Sequence, residues 1–479
     1  MKNALLLICA VVLALLVSSS ECRCAPRPII GAIRWDAWVG PYDTSRVGAK
    51  DVGLMVEKAL GPHQFHDRIP FFGKETGPDS VEVRELTQDV MDKEIQYAHD
   101  GGIDYWAFDW YPDGTGLDIA RQLYMTSPLK KLVKYCWLMQ NNYPRKNFPT
   151  LVNTYFKDPC YLKVLNNRPV LYLYADIYTP EDFDALRDLT RAAGFGDPYV
   201  VKCEMGKGGG HTVTAAFDGD MYSYWQAAPG AYAGEWIEVD LGVSTTFDKA
   251  VLVEPAAHTS AYEIRYWDGS SWKVAFTGTT IGTAKSPTIV TFPPVAGTKA
   301  RLVFLSGRKE LAINEFQLYD TKSTTSNLVL GRSYAASSTG YHYDALSHYV
   351  TGGPRGVMGS PFSAVMTNSE ERWNRDKTFG LNVVPNLSIG ADPSPRIVTP
   401  PSRGGYTASS HEPTPEEVGA HVTQVLHWID ANPGVDPARL VLIYAWNEFD
   451  EGGWICPTLF HGPDRLEAIR KALDAYEKK

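Results

Sequence analysis

Eight short apolar runs, most of them separated by segments of helical periodicity, constrain this chain more than any other feature. They are PIIGAIRW (28–35), IDYWAFDW (103–110), LVKYCWLM (132–139), RPVLYLYA (168–175), PYVVKCE (198–204), DALSHYV (344–350), LNVVPNLS (381–388) and LVLIYAW (440–446). Each has the length and the β-branched or aromatic content of a buried strand. Between them lie TQDVMDKEIQYAHDGG, TPEDFDALRDLTRAAG and TPEEVGAHVTQVLHWID. The last two open with Thr-Pro and early acids, the expected start of a helix. Eight strands alternating with helices predict an α/β fold, a (β/α)8 or TIM barrel. In that architecture the chemistry stands at the C-terminal ends of the strands.

One interval breaks the alternation. About 140 residues separate the fifth run from the sixth, far beyond an ordinary connection. Residues 207–340 are rich in Gly, Thr and Ser and carry short alternating runs such as EWIEVDLG, AYEIRYW and KARLVFL. Period-two alternation with frequent turns predicts an all-β jelly-roll sandwich inserted after strand five. The expected organisation is a signal peptide (1–24), a first barrel segment (25–206), the insert (207–340) and a second barrel segment (341–479). By the barrel rule, an insert after strand five sits on the catalytic face and contributes to substrate capture.

Charge and leader narrow the class. A net charge of −9 without a Lys/Arg cluster excludes nucleic acid as a partner. The apolar stretch from Ala4 to Val17, followed by SSSECRC, has the pattern of a secretory signal ending near Cys22 or Cys24. It is shorter than the roughly 20 residues that span a bilayer, so no membrane span is expected and the mature protein is secreted, periplasmic or extracellular. Cys136, Cys160, Cys203 and Cys456 lack CxxC or His-rich spacing, so no metal site is expected from them. Cys136 and Cys203 read as buried thiols. The 13 Trp and 26 Tyr suit a protein that stacks sugar rings, although a large core also uses them.

The predicted strand ends gather aromatic, carboxamide and carboxylate groups. Strand one ends at Arg34, Trp35, Asp36 and Trp38, strand two at Asp109, Trp110 and Tyr111, strand three at Gln140 and Asn141, and strand four at Tyr174 and Asp176. Glu204, Tyr349 and Asn386 end strands five to seven. Strand eight runs into WNEFDEGGWICPT (446–458), which presents Asn447, Glu448, Glu451 and Trp454 before and after a Gly pair. Flat C–H faces of a sugar pack on Trp and Tyr, and its hydroxyls need donors and acceptors at fixed positions. Two acids three residues apart beside Trp446, Phe449 and Trp454 are partly desolvated, and a like-charged neighbour raises the pKa of one. Trp35 and Trp106 are expected to pack between sheet and helices. Asp36 and Asp109 are as well explained by pairing with Arg34 as by a ligand, Glu204 by a hinge at the insertion point, and Asn386 opens an NLS sequon.

Two resemblances sharpen these expectations. The succession AAFDGDMYSYW, EWIEVDLG, YEIRYWDGSSWKVAFTG, TIVTFPPVAGTKARLVF and INEFQLYD resembles a discoidin, or F5/8 type C, domain, a fold shared with family 32 carbohydrate-binding modules. NLVLGRSYAASST, which resembles the opening strand of such domains, stands here at 327–339, after the closing EFQLYD. A circularly permuted insert is therefore expected, in preference to a truncated second copy. The resemblance implies a structural Ca2+ and loop-tip ligand contacts, for which Trp225, Tyr232 and His258 are the weaker candidates.

The flanking segments, above all AWNEFDEGGWICPT, resemble glycoside hydrolase family 99-like proteins, the endo-α-mannosidase and WbsX-type group. That resemblance implies a retaining hydrolase of α-linked mannose-containing or related glycans that needs no catalytic cofactor. Glu448 would deprotonate the substrate 2-hydroxyl, and Glu451 would act as acid and then base. Asp36, Trp38, Asp109, Trp110, Tyr349, Asn447 and Trp454 would contact an oligo- or polysaccharide. Where the endo-mannosidases place Trp-His between the acids, this chain has Phe449-Asp450. The alternatives are an α-1,3-glucanase-like hydrolase and a non-catalytic glycan-binding surface protein.

Overall fold

The computed structural model describes residues 27–37, 52–83, 87–139, 143–174, 178, 180–204, 213–221, 223–227, 232–256, 258–307, 311–323, 326–338, 343–379, 381–398 and 408–478. The expected signal peptide, Trp38, Gln140, Asn141 and Asp176 lie outside the described residues.

Residues at both ends of the chain build one curled parallel sheet. Its strands are β1 (Ile29–Arg34), β2 (Tyr105–Asp109), β3 (Lys134–Met139), β4 (Arg168–Leu173) and β5 (Tyr199–Glu204), followed after the insert by the remaining four. The insert contributes β6 (Trp236–Val253), β7 (Thr259–Trp267), β8 (Trp272–Gly278), β9 (Thr288–Gly307), β10 (Glu315–Tyr319) and β11 (Ser333–Ala336). The parallel sheet resumes with β12 (Ala345–His348), β13 (Asn382–Val383), β14 (Asn386–Ser388) and β15 (Leu440–Tyr444). Its order is β13-β12-β5-β4-β3-β2-β1-β15-β14. The seventh apolar run thus forms two short strands, because Pro385 has no N–H for a continuous ladder. One piece pairs with β12 and the other with β15.

Helices cover the outer face of this sheet. In chain order they are α1 (Val52–Leu60), α2 (Gln88–Asp100), α3 (Ile119–Thr126), α4 (Pro180–Ala192), α5 (Phe362–Asp376), α6 (Ser394–Val398), α7 (Pro415–Ala431) and α8 (Asp464–Glu477). Thr87 caps α2 by accepting from Val90 N, and Thr414 forms a full capping box with Glu417 at the start of α7. Each such cap contributes about 1 kcal/mol. The outward residues of the strands pack against these helices: Trp106, Trp137 and Trp446 are fully buried. Cys136, Cys160, Cys203 and Cys456 are free and buried.

Most of the insert folds into an all-β sandwich with its own core, in which Trp225, Ile237, Leu252, Ile264, Leu302 and Phe316 are buried. β11 pairs antiparallel with β6, Ala336 opposite Ile237 and Ser333 opposite Asp240. Just before it, Val329 is completely buried and the Tyr334 ring stacks on Phe217 at 4.5 Å. Residues 327–336 therefore complete the sandwich from the C-terminal side.

The docking of the insert departs from the barrel-rule expectation. Ala215, in a single 3-10 turn (Val213–Ala216), packs with Leu346 of β12 and with Phe379. Leu346 stands opposite Lys202 of β5 and Phe379 just precedes β13, so this contact lies along the flank of the sheet and not at the strand ends that carry Glu448. Among the described residues between β5 and β12, that turn is the only helical segment. The sandwich flanks the sheet where a connecting helix ordinarily packs. A fragment spanning 207–340 is expected to melt cooperatively in circular dichroism and a fragment ending at 326 to give no cooperative melt; equal melts would refute the permuted arrangement.

Candidate active site

The motif after β15 leaves the sheet as a tight hairpin. Asn447 pairs with Trp454 and Glu448 with Gly453, and Glu451 N donates to Glu448 O at 3.2 Å. The acids are thus presented on a turn and not on a helix. Gly452 at its tip has φ +84°, and a Cβ there would lie 2.4 Å from Asp392 N, so only glycine fits.

A buried charge network holds the base of this hairpin. Arg34 at the end of β1 donates to Asp36 Oδ1 and to Glu94 Oε2 of α2, both at 2.8 Å. Its guanidinium lies over the Trp106 ring, 4.6 Å from the centroid. Glu94 also accepts from Trp446 Nε1 at 2.9 Å. Asn447 accepts from Trp35 N at 3.0 Å and donates to Asp36 Oδ1 at 3.1 Å. Burial raises the Asp36 pKa to about 6, against the opposing pull of Arg34. The expected pairing of Asp36 with Arg34 is present. Asn447 has both ends of its amide engaged and orients the hairpin.

Glu448, 3% exposed, stands inside this frame. Tyr349 Oη lies 3.0 Å from Glu448 Oε1 and 3.2 Å from Asp109 Oδ2. A phenol has one proton, so Tyr349 donates to one carboxyl group and accepts from the other. Burial and then the charge of Glu448 push the Asp109 pKa well above the carboxylate range, which favours a proton on Asp109. The result is a chain from Asp109 through Tyr349 to Glu448. Burial also raises the Tyr349 pKa well above that of a free phenol.

Arg396, from α6 in the connection between β14 and α7, meets the other acids. It donates through Nε and Nη2 to Asp450 at 2.6 and 3.1 Å, contacts Glu451 Oε1 through Nη1, and lies 3.6 Å from Glu448 Oε2. Tyr444 Oη donates to the other oxygen of Glu451. The additional acid Asp450 is therefore a buried anchor for Arg396. Glu451 keeps more exposure, with a side chain 21% accessible.

The other candidates have distinct placements. Trp110 lines a cavity of about 590 Å³ with Asp113, Tyr143, Lys146, Asn147 and Tyr155. Trp454 is buried with Arg465 stacked 3.8 Å from its centroid and Arg68 at 5.3 Å, so its ring is spent on packing. Asn386 is buried and donates to Tyr349 O and Leu442 O, which leaves no access for modification. Trp225 is a core residue of the sandwich whose indole donates to Ser338 O at 3.0 Å. Tyr232 packs against that core and His258 is half-buried, donating through its backbone to Glu254. Sequence reasoning missed Arg396, Tyr444 and Glu94. Tyr444 and Glu94 stand in elements that the periodicity marks, whereas PSPRIV around Arg396 carries no signal.

In the sandwich, the buried Glu315 and the half-buried Asp218 form an acid pair. Ser223 Oγ and Asp220 N donate to Asp218 (2.8 Å each at closest), and Gly219 N donates to Glu315 Oε1 at 2.7 Å. Burial, with Asp218 as a further contribution, raises Glu315 to about 8, and burial raises Asp218.

Residues 201–316 match the F5/8 type C domain. Among solved structures, the chain is similar to chitosan-binding module 1 of a chitosanase/glucanase from Paenibacillus sp. IK-5, with 27% identity over 23% of this chain and 86% of that one, TM-score 0.21. It is also similar to the family 32 carbohydrate-binding module of C. perfringens NanJ in complex with galactose, with 17% identity over 22% of this chain and 84% of that one, TM-score 0.21. No curated protein matches the chain. Among the described residues, no helix is long and apolar enough to cross a membrane.

Removing Arg396 strands the Asp450 carboxylate at 1% exposure. Arg396→Met is expected to cost about 3–5 kcal/mol in urea denaturation, and Asp450→Asn in the same chain to recover most of it. Additive losses would show that the pair is not coupled.

Proposed function

We propose that this protein is a retaining glycoside hydrolase of α-linked mannose-containing or related glycans, joined to a glycan-binding module. The observation that carries this reading is the placement of Glu448 and Glu451 on one hairpin at the C-terminal end of β15, with Glu448 hydrogen-bonded to Tyr349. We read the curled sheet as a (β/α)8 barrel. That reading is supported by β13 and β14, two residues apart in the chain, which pair with the last and first parts of the ring.

In the proposed reaction Glu448 removes the proton of the substrate 2-hydroxyl. The 2-oxygen forms a bond to the anomeric carbon as the glycosidic bond breaks, and Glu451 protonates the departing oxygen. Glu451 then takes a proton from water, water attacks the anomeric carbon of the 1,2-anhydro sugar, and Glu448 returns the proton to the 2-oxygen. Two net inversions leave the anomeric configuration retained. For Glu451 to deliver its proton, substrate must displace the Arg396 contact. The hydrogen-bonded Asp109–Tyr349 pair holds Glu448 in place.

Arg396 also favours the second reading. With Glu451 and Asp450 engaged by one guanidinium, the acids of a non-catalytic glycan receptor would serve only as hydroxyl acceptors. Glu448→Gln and Glu451→Gln separate the two. For a hydrolase, each is expected to lower turnover on the cleaved glycan by about a thousandfold or more while binding in calorimetry is retained. Binding to α-mannans, α-glucans or N-glycans with product from none would sink the hydrolase reading.

For the module, the F5/8 type C match supports glycan binding, and we propose Ca2+ as its structural ion. The donors around the acid pair fit a hard cation: the carboxylates of Asp218 and Glu315 and the Ser223 hydroxyl, all oxygen. Ca2+ would supply the positive charge that the two adjacent carboxylates otherwise obtain from a proton. Because Glu315 is raised to about 8 in the folded state, the native protein holds a proton there that the unfolded chain releases. In EDTA, module stability is therefore expected to fall as pH rises from about 4.5 to 8. Calcium should abolish that fall in calorimetric melts; a calcium-independent profile would count against the ion.

A further inference from the structure

Outside the candidate active site, His63, His66 and Glu75 bring three ligand atoms within 4.8 Å of one another. His63 and His66 stand three residues apart on a 3-10 helix (His63–Arg68), where such positions eclipse, and their ring centroids are 5.1 Å apart. Glu75 comes from the facing strand Lys74–Gly77. That strand pairs with Ser80–Glu82 as a hairpin, and at its tip Asp79 Oδ1 accepts from His63 N at 3.3 Å.

The buried partner is oriented as a metal ligand is. His66 is 3% exposed and its Nε2 lies 2.7 Å from Gly61 O, a pure acceptor, so Nε2 carries a proton. This carbonyl contact is the usual outer-shell support of a ligating histidine, and it turns Nδ1 toward Glu75 Oε1 at 2.6 Å. That contact is a hydrogen bond sharing one proton, and a metal ion would take the proton's place as the exposed Glu75 carboxylate moves to coordinate it. His63 and Glu75 are exposed and free to adjust. We propose that His63, His66 and Glu75 form a binding site for a borderline divalent transition ion of the Zn2+ class, with water in the fourth position.

The site clamps a segment that supports the candidate active site. Two residues after His66, Arg68 pairs with Asp392 at 2.5 Å and lies over the Trp454 ring. Ile69 O accepts from Leu459 N at 2.7 Å, and Phe71 N donates to Pro457 O at 3.0 Å. The bound ion would hold the hairpin to this helix and so to the chain leaving WNEFDEGGWICPT.

The test uses tag-free full-length protein stripped with chelator and returned to excess calcium, which keeps the module's acid pair out of the measurement. Zinc titration in a calorimeter and the visible spectrum of added Co2+ report the site, and thermal melting reports the clamp. We expect one strong zinc equivalent, tetrahedral cobalt absorption and a raised Tm, with affinity reduced by more than about tenfold in His63→Ala and in Glu75→Gln. Both variants replace exposed side chains and are expected to fold as the parent does. No zinc binding overturns the proposal, leaving a proton on His66 Nδ1 as the cation; equal binding by parent and both variants overturns it as well.

Discussion

Arg34 is the interaction on which the candidate active site depends. Its buried guanidinium joins the end of β1 to α2 through Glu94, and both acids pass the constraint on, Glu94 to Trp446 and Asp36 to Asn447. The two residues that immediately precede Glu448 are thus fixed by one cation. Ion pairs so deeply buried contribute little net stability, because desolvation offsets most of their attraction. What they supply is a unique geometry: removing Arg34 would leave Asp36 and Glu94 facing each other without a counter-charge.

The same electrostatic problem recurs around the hairpin and has two solutions. Asp109 and Glu448 share a desolvated space, which favours a proton on Asp109, and the Tyr349 hydroxyl bridges the two. Asp450 and Glu451 are instead met by Arg396. A proton moves readily and a guanidinium does not. The first arrangement suits a group that exchanges protons, and the second suits a group whose position matters. This difference accounts for Asp450 as an anchor, while Glu451, met by the same guanidinium, alone of the hairpin acids has appreciable exposure.

Much of the fold was legible because local chemistry and tertiary packing agree. Thr87 and Thr414 cap the helices their positions predict, and every apolar run contains a strand of the parallel sheet. The site was legible where its residues follow a strand: Asp36, Asp109, Tyr349 and Glu448 converge as strand ends. Arg396 was not, since it joins Asp450 from 54 residues away in chain without periodicity. Trp225 and Trp454 show the other failure. Type and position at a loop do not reveal that the indole N–H of one is spent on Ser338 and the ring of the other lies between two arginines. Burial is set by partners that one sequence window does not contain.

The position of the insert follows from where its ends are held. β5 ends at Glu204 on the C-terminal edge of the sheet, and by Ala215 the chain packs on Leu346, next to the point where Ala345 resumes the sheet. Entry and exit of the sandwich are therefore neighbours, as a domain inserted without strain requires. Adjacent ends also make strand order cyclic: a strand can leave the start of the domain and rejoin at its finish without changing its neighbours. β11 occupies such a place, paired with β6 although it follows β10 in the chain. Docking beside β12 uses apolar contacts that a connecting helix would otherwise make, so the sheet loses a helix without exposing Leu346. An insert held this way is constrained first by packing on the flank of β12, and its binding surface need not follow the strand after which it is inserted.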